Sequence, residues 1–162
     1  MLRIAVLLSA LAGCGGYRPG ALIHGGGSEA ELADQRVTVD CLDVAVARRP
    51  DYDGSVVLQY RFGNRCNQPV QVDLQRVAVA ARLDDGREVE LSPHDPQLEL
   101  QPVQLAGRHT GGEAIAYPTQ RPTTQVCVDA ASIVHAQPAR WLCFATGAAV
   151  DENLARDLEE TP

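Results

Sequence analysis

Hydrophobic and polar residues alternate with a period of two through the middle of the chain. Val56, Leu58, Tyr60 and Phe62 are interleaved with Val57, Gln59 and Arg61, so a strand is expected here with one apolar face. Val70, Val72 and Leu74 repeat the pattern, and Val77, Val79, Ala81 and Leu83 resume it in the opposite phase. The phase flip at Gln75-Arg76 predicts a bulge or a strand that changes sheets. Asp84-Asp85-Gly86 supplies the left-handed position of a tight hairpin, with Glu88 to Leu91 as its return strand. Further strands are expected at Val37 to Ala47, Leu98 to Leu105, Glu113 to Tyr117, Val126 to Ala130 and Trp141 to Ala145. Turn residues at Pro50 to Gly54, Ser92 to Pro96 and Pro118 to Pro122 separate them. About eight short strands in roughly 110 residues, with no long helical period among them, predict an all-β antiparallel sandwich over residues 36–147.

The first residues follow a different rule. Met1-Leu2-Arg3 carries one positive charge and Ile4 to Ala12 is apolar or small, the layout of a short export signal. A spanning helix needs about 20 apolar residues, and Gly13, Gly15, Gly16 and Pro19 interrupt this run well before that. Leu11-Ala12-Gly13-Cys14 resembles the lipobox of bacterial lipoproteins. The resemblance implies that residues 1–13 are a signal peptide, that Cys14 is lipidated, and that the protein reaches a membrane through that lipid. Several acyl chains would anchor it durably, whereas one binds only marginally. Gly15 follows Cys14 in place of an Asp, which in enterobacterial lipoproteins favours the outer membrane; without an outer membrane the plasma membrane is expected. Thirteen residues before Cys14 is shorter than a usual signal of about 15 to 30, which leaves room for a start codon upstream.

Residues 14–35 are glycine-rich and lack sustained periodicity, so they are expected to form a flexible tether. As a coil, Gly15 to Gln35 would reach about 25 Å, and the domain would hang free of the lipid. Residues 148–162 hold one Arg against five acids and are expected to be a solvated tail. Val150, Leu154 and Leu158 offer the alternative of a short docking helix.

Without Cys14, four cysteines remain in a chain marked for export, and an even set in that setting reads as two disulfides. No CxxC pair is present to suggest zinc. If 36–47 and 56–64 form a hairpin about Tyr52, positions summing to about 105 face one another, and Cys41 and Cys66 lie within one diagonal step. A hairpin about His135 places Cys127 opposite Cys143. The layout as a whole, including Asn64 and Pro69-Val70-Gln71-Val72, resembles the immunoglobulin-like domains of many bacterial lipoproteins. It departs from antibody domains, because no Trp sits between two Cys that could join the B and F strands.

Composition narrows the partners. A net charge of −7 and a pI near 5.0 give no basic excess for a phosphate backbone, so no nucleic-acid partner is expected. Ser92-Pro93-His94-Asp95 contains triad residue types, but contiguous residues around a proline form a turn rather than a triad. Asp51-Tyr52-Asp53-Gly54 echoes half of a calcium loop, with Val56 where Gly and Phe62 where Glu would be needed. His24, His94, His109 and His135 are isolated in sequence, so neither metal nor cofactor is expected. The sequence shows no GxSxG, phosphate loop or HExxH. These observations point to a non-catalytic protein-binding or assembly module that presents loops or a free strand edge to an envelope protein. The expected contact loops are Ser92 to Pro96, with Ser92, His94 and Asp95, and Tyr117 to Thr124, with Tyr117 and Arg121. The alternative is a small-ligand or glycan binder using Tyr52, Tyr117 and Trp141.

Overall fold

A computed structural model describes residues 16–24, 35–93 and 100–146 of the chain. Among them run a short helix α1 (Ala21–His24) and ten strands. The strands are β1 (Gln35–Val39), β2 (Leu42–Tyr52), β3 (Ser55–Asn64), β4 (Val70–Val72), β5 (Val79–Leu83), β6 (Glu88–Glu90), β7 (Val103–Leu105), β8 (Thr110–Pro118), β9 (Thr123–Asp129) and β10 (Trp141–Ala145). Sheet I has the order β1-β2-β3-β8, sheet II the order β10-β9-β5-β6, and β4 pairs with β7 in a small third sheet. All pairings are antiparallel, and the molecule is an all-β sandwich.

The period of two decides which faces meet. Along β3, Val56, Leu58, Tyr60 and Phe62 are buried while the residues between them are half-buried. Val44 and Val46 of β2 extend that face, and Val79, Ala81, Val126 and Val128 of sheet II complete one continuous core with it. The phase flip is a change of sheet: β4 pairs with β7, a 3₁₀ turn at Leu74–Arg76 intervenes, and β5 joins β9 in sheet II. Asp73 caps that turn by accepting from the Gln75 amide at 3.1 Å.

Two hairpins show their turn chemistry. Asp53 and Gly54 both have positive φ, 47° and 70°, which makes a two-residue type I′ connection between β2 and β3. Gly86, at φ 84°, closes the β5–β6 loop, where the Leu83 amide donates to the Arg87 carbonyl at 2.8 Å.

Several expectations change. Residues 37–47 are two strands, because Asp40 takes φ 49° and turns β1 back upon β2. Asp tolerates that left-handed position, and apolar Cys41 and Ala45 blur the break in sequence. The β2–β3 register places Val44 opposite Phe62, one step from the expected sum. Strand β7 covers only Val103–Leu105 of the stretch expected from Leu98 onward.

Both disulfides join the expected partners. Cys41–Cys66 has a Cα separation of 5.4 Å and Cys127–Cys143 one of 4.1 Å. Cys127 and Cys143 are directly opposed in β9 and β10, so this bond lies within sheet II. Cys41–Cys66 ties the β1–β2 turn to the end of β3, so neither bond crosses between the sheets as in antibody domains. On one side the two sheets are stitched by a side chain: the Gln35 amide donates to the Cys143 carbonyl, and the Cys143 amide donates back to Gln35 Oε1 at 3.1 Å. Gln35 thus occupies the backbone groups that Cys143 would otherwise present at the edge of β10.

The largest departure is at the N-terminal side. Residues 16–24, expected within the tether, are docked on the sandwich through Tyr17, which is 9% exposed. Gln35, expected at the end of the tether, opens β1, while Cys14, Gly15, residues 25–34 and the acidic tail lie outside the described residues.

Candidate functional site

Two surface features combine polar geometry with access. The first is the docking point of Tyr17. Gly63 lets the Tyr17 ring lie on the end of β3, because a Cβ at that position would overlap the ring. The Tyr17 hydroxyl donates to Asp43 Oδ2 at 2.6 Å, the Gly20 amide donates to the same oxygen at 2.7 Å, and Thr38 Oγ1 donates to Oδ1 at 2.6 Å. Arg65 Nε stands 3.6 Å from Asp43 Oδ1. Burial alone would raise the Asp43 pKa, but the hydrogen bonds from Thr38, Tyr17 and Gly20 and the Arg65 charge outweigh it and hold the carboxyl below its usual range. Burial, then the bond to Asp43, pushes the Tyr17 phenol upward. The buried carboxylate is therefore ionised, fully partnered and structural.

A backbone path links this point to the first disulfide. The Tyr17 amide donates to the Arg108 carbonyl at 2.5 Å, the Arg108 amide to the Cys66 carbonyl at 3.0 Å, and the Arg65 amide to the Cys41 carbonyl at 2.7 Å. Asn64 braces the same corner from inside: its Nδ2 donates to the Gln68, Leu105 and Ala106 carbonyls, and its Oδ1 accepts from the Cys66 amide at 2.9 Å.

The second feature is the free edge of sheet I. Among the described residues, strand β8 pairs with β3 on one side and ends the sheet on the other. Thr110 to Ala114 are exposed, while Ile115 and Tyr117 point into the core. Beside the β8 start lies a cleft of about 480 Å³. Phe62, Val72, Leu74, Leu100, Val103 and Leu105 give it an apolar lining, and Val103 is 59% exposed. That volume is within the range of sites that accept a small molecule or a large side chain. The edge supplies backbone donors and acceptors, and the cleft supplies a place for one apolar group.

The residues expected in contact loops are scattered. Ser92 is exposed, and His94 and Asp95 lie outside the described residues. Tyr117 is fully buried, its hydroxyl 2.7 Å from that of Tyr60, and burial raises the pKa of both phenols. It is a core residue of β8 and cannot serve as a surface contact, which corrects the expectation drawn from its neighbour Pro118. Arg121 is exposed but pairs with Asp84 at 2.9 Å and Asp85 at 3.3 Å, and this pairing, chiefly the bond to Asp84, raises its pKa. It clips the β8–β9 loop to the β5–β6 turn. Of the aromatic residues expected to stack on a glycan, Tyr52 is 76% exposed, whereas Trp141 is half-buried beside the second disulfide. Among the described residues no three His, Cys, Asp or Glu side chains converge as a metal site would require.

The sequence offers a free strand edge without saying which strand forms it, and it does not reveal the Tyr17 contact. Pro19-Gly20 is a turn signal in the glycine-rich stretch, yet nothing local marks Tyr17 as the partner of an Asp 26 positions away. The chain matches no known protein family, and no match is found among curated proteins or solved structures.

Proposed function

We propose that this protein is a lipid-anchored envelope protein, fixed through Cys14, whose sandwich binds an extended segment of a partner protein without turnover. The observation that carries the reading is the pairing of an unoccupied β8 edge with the apolar cleft at its start. An added strand would exchange backbone hydrogen bonds with β8 and insert one apolar side chain among Leu74, Leu100 and Leu105. Export and lipidation rest on Leu11 to Cys14, and the two disulfides support an oxidising compartment. The kinship to immunoglobulin-like domains belongs to the same reading and rests on the strand and turn layout of the sequence.

A photo-crosslinking residue in place of exposed Glu113 should trap a partner in whole cells. Ala114→Lys with Ala116→Lys, both on the exposed face of the edge strand, should abolish the adduct while leaving the fold intact. An adduct unchanged in that double variant overturns the edge as the binding element.

The cleft also favours a second reading, a small apolar ligand as the true occupant. Native mass spectrometry of protein purified without detergent would show a retained small molecule, and a ligand-free spectrum would overturn that alternative.

A further inference from the structure

Cys14 and Tyr17 are three residue steps apart, and Tyr17 is held on the body of the domain by its amide, its ring and its hydroxyl. Fully extended, three steps span about 11 Å. This inference rests on the reading of Cys14 as the lipidated residue. We infer that the domain is held flush against an anionic phospholipid surface, with the corner around Tyr17 facing the headgroups, and does not swing on a tether.

Chain length and charge argue for the same face. A lipid on Cys14 leaves only Gly15 and Gly16 between the bilayer and the docked residue, and Gly16 itself lies against Arg108. Around the docking point stand Arg18, which is exposed, Arg65 and Arg108, with exposed His109 beside them. Among the described residues, Asp43 and the exposed Asp40 of the β1–β2 turn are the acids at this corner, so three guanidinium groups outnumber them. Arg108 Nε is oriented by Asn67 Oδ1 at 2.9 Å. At the opposite end of sheet I the acids of the β2–β3 and β5–β6 turns are met by arginines: Arg48 pairs with Asp51 at 3.0 Å, Arg87 with Asp85 at 2.9 Å and Arg121 with Asp84 at 2.9 Å. An anionic surface attracts the first end, whereas the paired charges of the second give it no comparable pull.

The two ends are separated by the length of β3, about 30 Å for a ten-residue strand. That span makes the orientation measurable. Full-length protein, matured in bacterial cells with a fluorescent non-natural residue at exposed Gln68 or exposed Tyr52, would be placed in vesicles of phosphatidylethanolamine and phosphatidylglycerol carrying a headgroup quencher. Quenching at Gln68 should exceed that at Tyr52 several-fold, and a long Gly/Ser spacer inserted between Gly15 and Gly16 should bring the two close together. Equal quenching in the parent protein overturns the orientation, and a spacer variant as polarised as the parent overturns the role of the short link. The mass of the N-terminal peptide, taken from the same sample, separates the two levels of the argument. An acylated Cys14 with equal quenching sinks the orientation alone, and an unmodified Cys14 sinks the lipoprotein reading with it.

Discussion

The Tyr17 hydroxyl donates to the Asp43 carboxylate at 2.6 Å across 26 positions of sequence, and this bond fastens a glycine-flanked segment to the end of sheet I. The carboxylate is buried and collects its partners from Thr38, Tyr17, Gly20 and Arg65, so its loss strands several donors at once. Asp43→Ala is expected to destabilise the protein by about 3 kcal/mol in urea unfolding. Tyr17→Phe removes two bonds, the one to Asp43 and the one accepted from the Leu22 amide, but keeps the ring; it should change the urea midpoint far less than Asp43→Ala and speed proteolysis between Gly16 and His24. A Tyr17→Phe protein as resistant as the parent would show that the ring alone holds the segment.

The same pair sets a pH window. The Asp43 pKa is lowered in the folded state, so its contribution is present above the ordinary carboxylate pKa of about 4 and is lost as pH falls through the folded value. The Tyr17 pKa is raised, so its contribution is complete below about pH 10 and disappears as pH rises through the folded value. NMR resonances of the Tyr17 ring should therefore stay constant across the neutral range and change only at the two extremes. An undocking midpoint near pH 7 would contradict the assignment.

In the core, the Tyr60 and Tyr117 hydroxyls satisfy each other at 2.7 Å on adjacent strands. Either single change to Phe leaves a buried hydroxyl unpaired and should cost about 1 to 3 kcal/mol. The double variant should cost less than the two singles combined, because it removes both polar groups together. Strict additivity in a double-mutant cycle would mean that the two phenols do not depend on each other.

Each disulfide closes a loop of 16 or 25 residue steps, and in the chain-entropy model each contributes about 3 kcal/mol. Removing either pair as a double Cys→Ala variant should lower the melting temperature. Only the loss of Cys41–Cys66 should also release residues 16–24, since the Tyr17 amide reaches Cys66 through Arg108. Hydrogen exchange over Tyr17 to Leu22 in the two variants checks the difference.

Much of the sandwich is legible in sequence because a half-buried strand must alternate and a type I′ turn must contain residues that accept positive φ. Val56 to Phe62 and Asp53-Gly54 announce β3 and its hairpin by those two rules. Asp40 escaped although the apolar phase flips there, from Val37 and Val39 to Leu42, Val44 and Val46, because apolar Cys41 and Ala45 blur the shift. Tyr17 escaped for a deeper reason: a single polar bond between distant segments leaves no period in either of them. The β8 edge was hidden as well, because alternation identifies strands and is silent on which of them lies outermost.

Gln35 gives the molecule a sidedness that bears on its oligomers. With the Cys143 groups of β10 taken by that side chain, β6 only three residues long and bearing Glu88 and Glu90, and β1 five residues long, β8 is the longest edge strand among the described residues and the flank on which another copy could pair. Two copies joined β8 to β8 would use up the same flank on both and expose no fresh one. Self-pairing through β8 alone would therefore stop at a two-fold dimer.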